Sequence, residues 1–231
     1  MEQYFNRNIM QIKFYTMAFI LLLCSLNTLG QVYEPIEKEA ADLFISLSNN
    51  EAGYRKDFEE LKAVLMKDIE NEDLKRTYLT SIAAYDSLID HFKSFEMELE
   101  NISIDSTLFL LNQWYLHFSN VFYNYAEKQF FPSQKIKILL FSTSMSCYCT
   151  LKMCKNQLID IIKLVRSNNG EYDYLTIDAY EKDDLPIKYE TLFTPSVIVF
   201  NGSNEVIHKI QYDEEMINKL SAFLNDNKNK N

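Results

Sequence analysis

The sequence predicts an α/β domain of order βαβαββα over residues 132–226, preceded by an all-helical domain over residues 31–131. Two observations carry this. Before Phe131-Pro132, apolar residues recur in steps of three and four, the spacing of one helix face. After it, short continuous apolar runs bounded by turn residues alternate with helical patterns, as in a sheet covered on both faces.

The first helix is expected over about Pro35 to Leu47. A second carries Tyr54, Phe58, Leu61, Leu65 and Ile69 on one face, and a third carries Tyr78, Ile82, Tyr85, Ile89 and Phe92. "SNNEAG", "ENED" and "ENISIDS" supply the polar breaks between helices. A single long aromatic helix is expected from Ser106 to Lys128, with Phe109, Trp114, Tyr115, Phe118, Phe122, Tyr123 and Tyr125. Large aromatics dominate interiors and interfaces, so this helix reads as core and docking surface rather than as a ligand groove. His91 and His117 have no Cys, Asp or Glu at metal-ligand spacing and read as ordinary helix residues.

In the second half, "KIKILLF" (Lys135 to Phe141) is the first strand. A loop with cysteines leads into a helix with Leu151, Cys154, Leu158, Ile161, Ile162 and Val165 on one face, closed by Gly170. "YDYLTID" (Tyr172 to Asp178) is the second strand and "DDLPIKYE" a short helix. "PSVIVF" (Pro195 to Phe200), the turn "NGSN" and "EVIHKIQ" form an antiparallel pair, and "DEEMINKLSAFLND" is the last helix. Residues 227–231 read as a disordered polar tail.

Composition excludes several function classes. A net charge of −10 and a pI near 4.9 leave no basic face for nucleic acid. Only four glycines are present and no Gly-rich phosphate loop, so no cofactor is expected. Residues 1–30 have the layout of a secretory signal peptide: Lys13, then the apolar run Met17 to Leu23, then small and polar residues ending at Gly30. The expected location is therefore outside the cytoplasm, in the periplasm of a bacterium. Membrane association is expected only if this segment stays uncleaved as an anchor or is lipidated at Cys24, where the preceding Leu23 is a poor fit. In an oxidising compartment thiols are paired, oxidised or held reduced by a partner. Without Cys24 an odd number remains: Cys147, Cys149 and Cys154.

The segments "TPSVIVFNGSNEVIHKI" and "YLTIDAYEKDDLPIKYETLFTP", in this order, resemble the thioredoxin fold over about residues 135–224. The resemblance implies that Pro195 is cis and lies against active-site cysteines, with the Thr194 backbone pairing to an extended substrate peptide. It also implies Cys-x-x-Cys where the first strand meets the first helix. That junction is "STSMSCYCTLK", which holds Cys147-x-Cys149 instead; Thr150 stands three positions after Cys147. The tryptophan that usually precedes the motif is missing, and Leu140 stands where thioredoxins bury an acidic residue. Exported thioredoxin-like reductases are nearer in general plan.

With a helix starting near Cys149, that thiol and Cys147 both sit at the positive end of the helix dipole, which favours thiolate. Either is a candidate nucleophile. Lys152 and Lys155 are candidates to support it. Cys154 lies five residues along the helix from Cys149, a rise of about 7.5 Å, beyond disulfide reach. It falls on the apolar stripe and reads as core. A Cys-x-Cys disulfide closes a small ring and is expected to be easily reduced. Zinc lacks a fourth ligand here. Copper(I) would accept Cys147 and Cys149 with Cys154, Met145 or Met153. The expected function is an exported thiol–disulfide oxidoreductase acting on a protein or peptide partner. The alternatives are a binding or scaffold protein that has lost its catalytic pair, and a copper-handling protein.

Overall fold

A computed structural model describes residues 33–68, 81–99 and 102–228. The signal-like segment 1–30, with Cys24, lies outside them, as do Ile69 and Tyr78. Among the described residues no helix is long and apolar enough to cross a membrane.

The sheet is built from β1 (Ile136–Ser142), β2 (Tyr172–Asp178), β3 (Ser196–Phe200) and β4 (Val206–Gln211), in the order β2-β1-β3-β4. β1 runs parallel to β2 and antiparallel to β3, and β3 is antiparallel to β4. Ile138 to Phe141 are all buried, because β1 is central and both sheet faces are covered. Among the described residues five helices precede the sheet: α1 (Glu34–Ser48), α2 (Tyr54–Asp68), α3 (Ile82–Glu98), α4 (Ile104–Val121) and α5 (Tyr123–Phe130). Three more complete the chain: α6 (Tyr148–Ser167), α7 (Asp184–Lys188) and α8 (Met216–Lys228). The order βαβαββα stands, and the fold from β1 onward is thioredoxin-like. α6 ends where Asn169 (φ 50°) and Gly170 (φ 75°) turn left-handed.

The single aromatic helix expected over residues 106–128 is in fact two. The break falls at Phe122 (φ −97°, ψ 9°), with neither proline nor glycine to cause it. Packing explains it: the fully buried Phe122 ring stacks on Tyr33 at 5.0 Å and meets Tyr85 edge-on, while past the break Phe130 meets Phe200 of the sheet. One straight helix would not serve both contacts.

Helices and sheet share one continuous core, which joins Phe44, Tyr85 and Trp114 to Ile138, Leu158 and Val199. Ser119 Oγ of α4 donates to the Thr176 carbonyl, so a helix side chain satisfies a main-chain acceptor of the edge strand β2. The buried Glu37 of α1 accepts hydrogen bonds from Tyr115 of α4 and Tyr174 of β2. α8 extends two residues into the segment read as a polar tail; residues 229–231 lie outside the described residues.

Close backbone approach fixes the β3–β4 turn. A Cβ on Gly202 would stand 2.5 Å from the Gln134 carbonyl oxygen. Gly202→Ala is therefore expected to cost about 1–3 kcal/mol. Urea denaturation checks this, and an unchanged midpoint would mean that the turn relaxes without cost.

Candidate functional site

The chain leaves the C-terminal end of β1 and enters α6 through residues 143–147. Cys147 is the N-cap of α6 (φ −65°, ψ 154°), and its carbonyl accepts from the Leu151 N–H at 3.1 Å. The helix thus begins at Tyr148, one residue earlier than expected, with Cys149 and Thr150 in its first turn. Both cysteines are exposed free thiols, and their sulfurs stand 2.7 Å apart. A disulfide needs about 2.05 Å, so closing one calls for movement of well under an ångström.

Cys147 carries the stronger claim to nucleophile. Its pKa is drawn down to about 6, first by the hydrogen bond with Cys149, then by the Thr150 hydroxyl and the Thr150 backbone N–H. Thr150 is buried, with Oγ1 3.3 Å from Cys147 Sγ. The position where the resemblance implies a second cysteine thus holds a hydroxyl donor to the first. The rate of Cys147 alkylation is expected to climb with pH through about 6 and level off above it. Thr150→Val is expected to move that midpoint upward, as mass-mapped iodoacetamide labelling would show. An unmoved midpoint would deny Thr150 this role.

The Thr194–Pro195 bond is cis, as the resemblance implies. Register places it: Phe141 pairs with Ser196, so Pro195 sits beside the end of β1 where the chain turns toward Cys147. Thr194 lines an open groove of about 610 Å³ together with Ser146, Thr150, Leu192, Phe193 and Tyr212. Large side chains of its wall stand in water: Leu192 is 79% exposed, Phe193 61% and Tyr212 49%. Scattered single apolar residues are ordinary on a surface, but a group beside one groove marks a contact surface.

Other residues singled out by sequence have other places. Cys154 is fully buried, and burial pushes its thiol pKa up. Lys155 does not serve a thiolate: it is buried and paired with Asp105 of α4, which ties the helical half to α6. Phe109 of α4 also approaches Tyr148, with ring centroids 6.4 Å apart. Among the described residues no group of three or more His, Cys, Asp or Glu side chains could hold a metal ion.

Sequence reasoning missed two polar groupings. One is Glu37 with Tyr115 and Tyr174. The other is His91 and His117, whose ring centroids lie 4.8 Å apart at the wall of a cavity that Asp178 also lines. The i,i+3 spacing of Tyr115 and Phe118 concealed the first, since Tyr115 looked like one more core aromatic. No local spacing signals the second, because the two histidines come from different helices.

No protein-family model matches the chain, and no curated protein matches it. Among solved structures it is similar to the germline-specific thioredoxin protein Deadhead (Thioredoxin-1) of Drosophila melanogaster, at 18% identity and a TM-score of 0.37, over 44% of this chain and 92% of that one. It is also similar to mitochondrial thioredoxin 3 of Saccharomyces cerevisiae in its oxidized form, at 16% identity and a TM-score of 0.32, over 38% of this chain and 78% of that one.

Proposed function

We propose that this chain is an exported thioredoxin-like thiol–disulfide oxidoreductase that works through Cys147 and Cys149 on a protein or peptide partner. The observation that carries the reading is the pair of exposed sulfurs 2.7 Å apart at a helix N-terminus, one of them held toward thiolate. The signal-like N-terminus supports export, which the exposed dithiol would need in order to meet disulfide partners.

The chemistry balances within the dithiol. Cys147 thiolate attacks one sulfur of a partner disulfide, forming a mixed disulfide while the other partner sulfur leaves as thiolate and takes a proton. Cys149, losing its proton, attacks Cys147 Sγ and releases the second partner thiol. Two electrons have passed to the partner, and the protein holds Cys147–Cys149 as a disulfide. An external dithiol restores the reduced form. Thr194 and Pro195, with the groove beside them, are the surface on which an extended partner segment would lie, and Leu192, Phe193 and Tyr212 offer it apolar contact. A disulfide across one intervening residue closes a small ring and gives up its bond readily, so the pair suits exchange and shuffling better than strong reduction.

Mild oxidation followed by alkylation and mass mapping tests the assignment. The expected product links Cys147 to Cys149 and leaves Cys154 free to alkylate after denaturation. If Cys147 and Cys149 both remain alkylatable after oxidation, the dithiol mechanism fails.

A further inference from the structure

Between α3, α4 and the C-terminal ends of β1 and β2 lies a cavity of about 590 Å³ that the redox chemistry does not use. Its size falls within the roughly 300–1,000 Å³ of small-molecule sites. The apolar part of its wall comes from Phe95, Met97, Leu110 and Trp114. Its charge comes from Glu98, Asp178 and Glu181, and among the described residues no lysine or arginine lines it. The nearest cations in sequence are engaged elsewhere: Lys182 Nζ lies 4.3 Å from the Tyr123 ring centroid, and Lys93 pairs with Asp90. Asp178 is held in place because its Oδ1 accepts from the Ser144 and Tyr180 N–H groups at 3.1 and 3.0 Å.

His117 adds an acceptor. Its Nε2 is buried with no protein partner. A neutral imidazole carries a lone pair on one ring nitrogen, so this buried Nε2 can accept from an incoming N–H. Burial, and then the neighbouring His91, pull the His117 pKa down and keep the ring neutral. A neutral imidazole, three carboxylates and an indole face repel an anion and favour a cation. With no three metal-ligating side chains converging among the described residues, the cation is organic rather than a metal ion.

We propose that this cavity binds a small organic cation, an ammonium or amidinium on an aromatic or aliphatic body. The cationic head lies toward Glu98, Asp178 and Glu181, an N–H reaches His117, and the body packs on Trp114 and Phe95. This stands independently of the redox reading, since none of these residues belongs to it.

Trp114 is the chain's single tryptophan, so intrinsic fluorescence reports this cavity directly. The full chain is titrated with phenethylamine and, separately, with phenylacetate, an anion of similar size. The expected result is a saturable change with phenethylamine and none with phenylacetate. Glu98 and Glu181 are exposed, so a Glu98→Gln/Glu181→Gln double variant should keep its fold, with affinity for phenethylamine lowered by about tenfold or more. No saturable change with phenethylamine, equal affinity for the two probes, or an unaltered affinity in the double variant would each overturn the proposal.

Discussion

Cys147→Ser is expected to lower the rate of exchange with a peptide disulfide to about a hundredth or less, because a serine hydroxyl at this pH is no nucleophile toward sulfur. Cys149→Ser is expected to behave differently. It retains the N-cap sulfur of Cys147 and the Thr150 contact at 3.3 Å, so the first attack proceeds and the protein stalls as a mixed disulfide on Cys147. Quenched reactions separated without reductant would show a stable adduct for Cys149→Ser and none for Cys147→Ser. A Cys149→Ala variant, which has no donor at that position, should also move the onset of reactivity to higher pH, since the Cys149 hydrogen bond is the largest cause of the lowered Cys147 pKa. If instead Cys147→Ser forms the adduct, the roles of the two cysteines are exchanged. If neither does, the exposed groove serves binding alone.

The strands were legible because β1 and β3 carry continuous apolar runs and β2 and β4 are short segments bounded by turn residues, signals that lie within or beside the element itself. β2 was read to the residue, Tyr172–Asp178, and the start of α6 to within one. The positions of Cys147, Cys149, Thr194 and Pro195 followed from those elements, since strand register alone brings Pro195 beside the end of β1. The break at Phe122 was not legible, because the rings that impose it come from residues 33, 85 and 200. Lys155 looked available for a thiolate because its partner Asp105 lies 50 positions away. Glu37 was hidden more deeply still. Its partners are 78 and 137 positions distant, and by spacing it is one of two glutamates in an ordinary first helical turn. Periodicity records which face a helix buries, but not that a carboxylate on that face meets two hydroxyls from elsewhere.

That buried carboxyl carries the largest expected effect on stability. Glu37 is 1% exposed and accepts from the Tyr115 hydroxyl at 2.8 and 2.9 Å on its two oxygens, and from Tyr174 as well. Burial is the dominant influence and pushes its pKa up from 4.5 to about 7; the Tyr174 and Tyr115 hydrogen bonds and the positive charge of Arg166 pull the other way without prevailing. Arg166 is itself shared, bonding to Asp42 at 2.7 Å and to the Lys38 carbonyl. Because the folded state holds this proton more tightly than the unfolded chain, stability is greatest below about pH 4.5 as far as this group is concerned and falls as pH rises through 7. The difference amounts to about 3 kcal/mol. Glu37→Gln keeps the shape and the acceptor oxygen but cannot ionise. Its unfolding free energy should exceed that of the wild type at pH 8 and match it more closely at pH 5. Glu37→Ala should lose about 3 kcal/mol or more at pH 5, since it leaves two buried hydroxyls and a cavity behind, and its deficit relative to the wild type should shrink at pH 8, where only the wild type is weakened by ionisation. Urea denaturation of the three proteins at the two pH values separates these outcomes. Parallel pH profiles for the wild type and Glu37→Gln would mean that the carboxyl titrates as in the unfolded chain. Divergent profiles would show that the folded protein holds the Glu37 proton where α1, α4 and β2 meet, one of several contacts that join the helical half to the sheet.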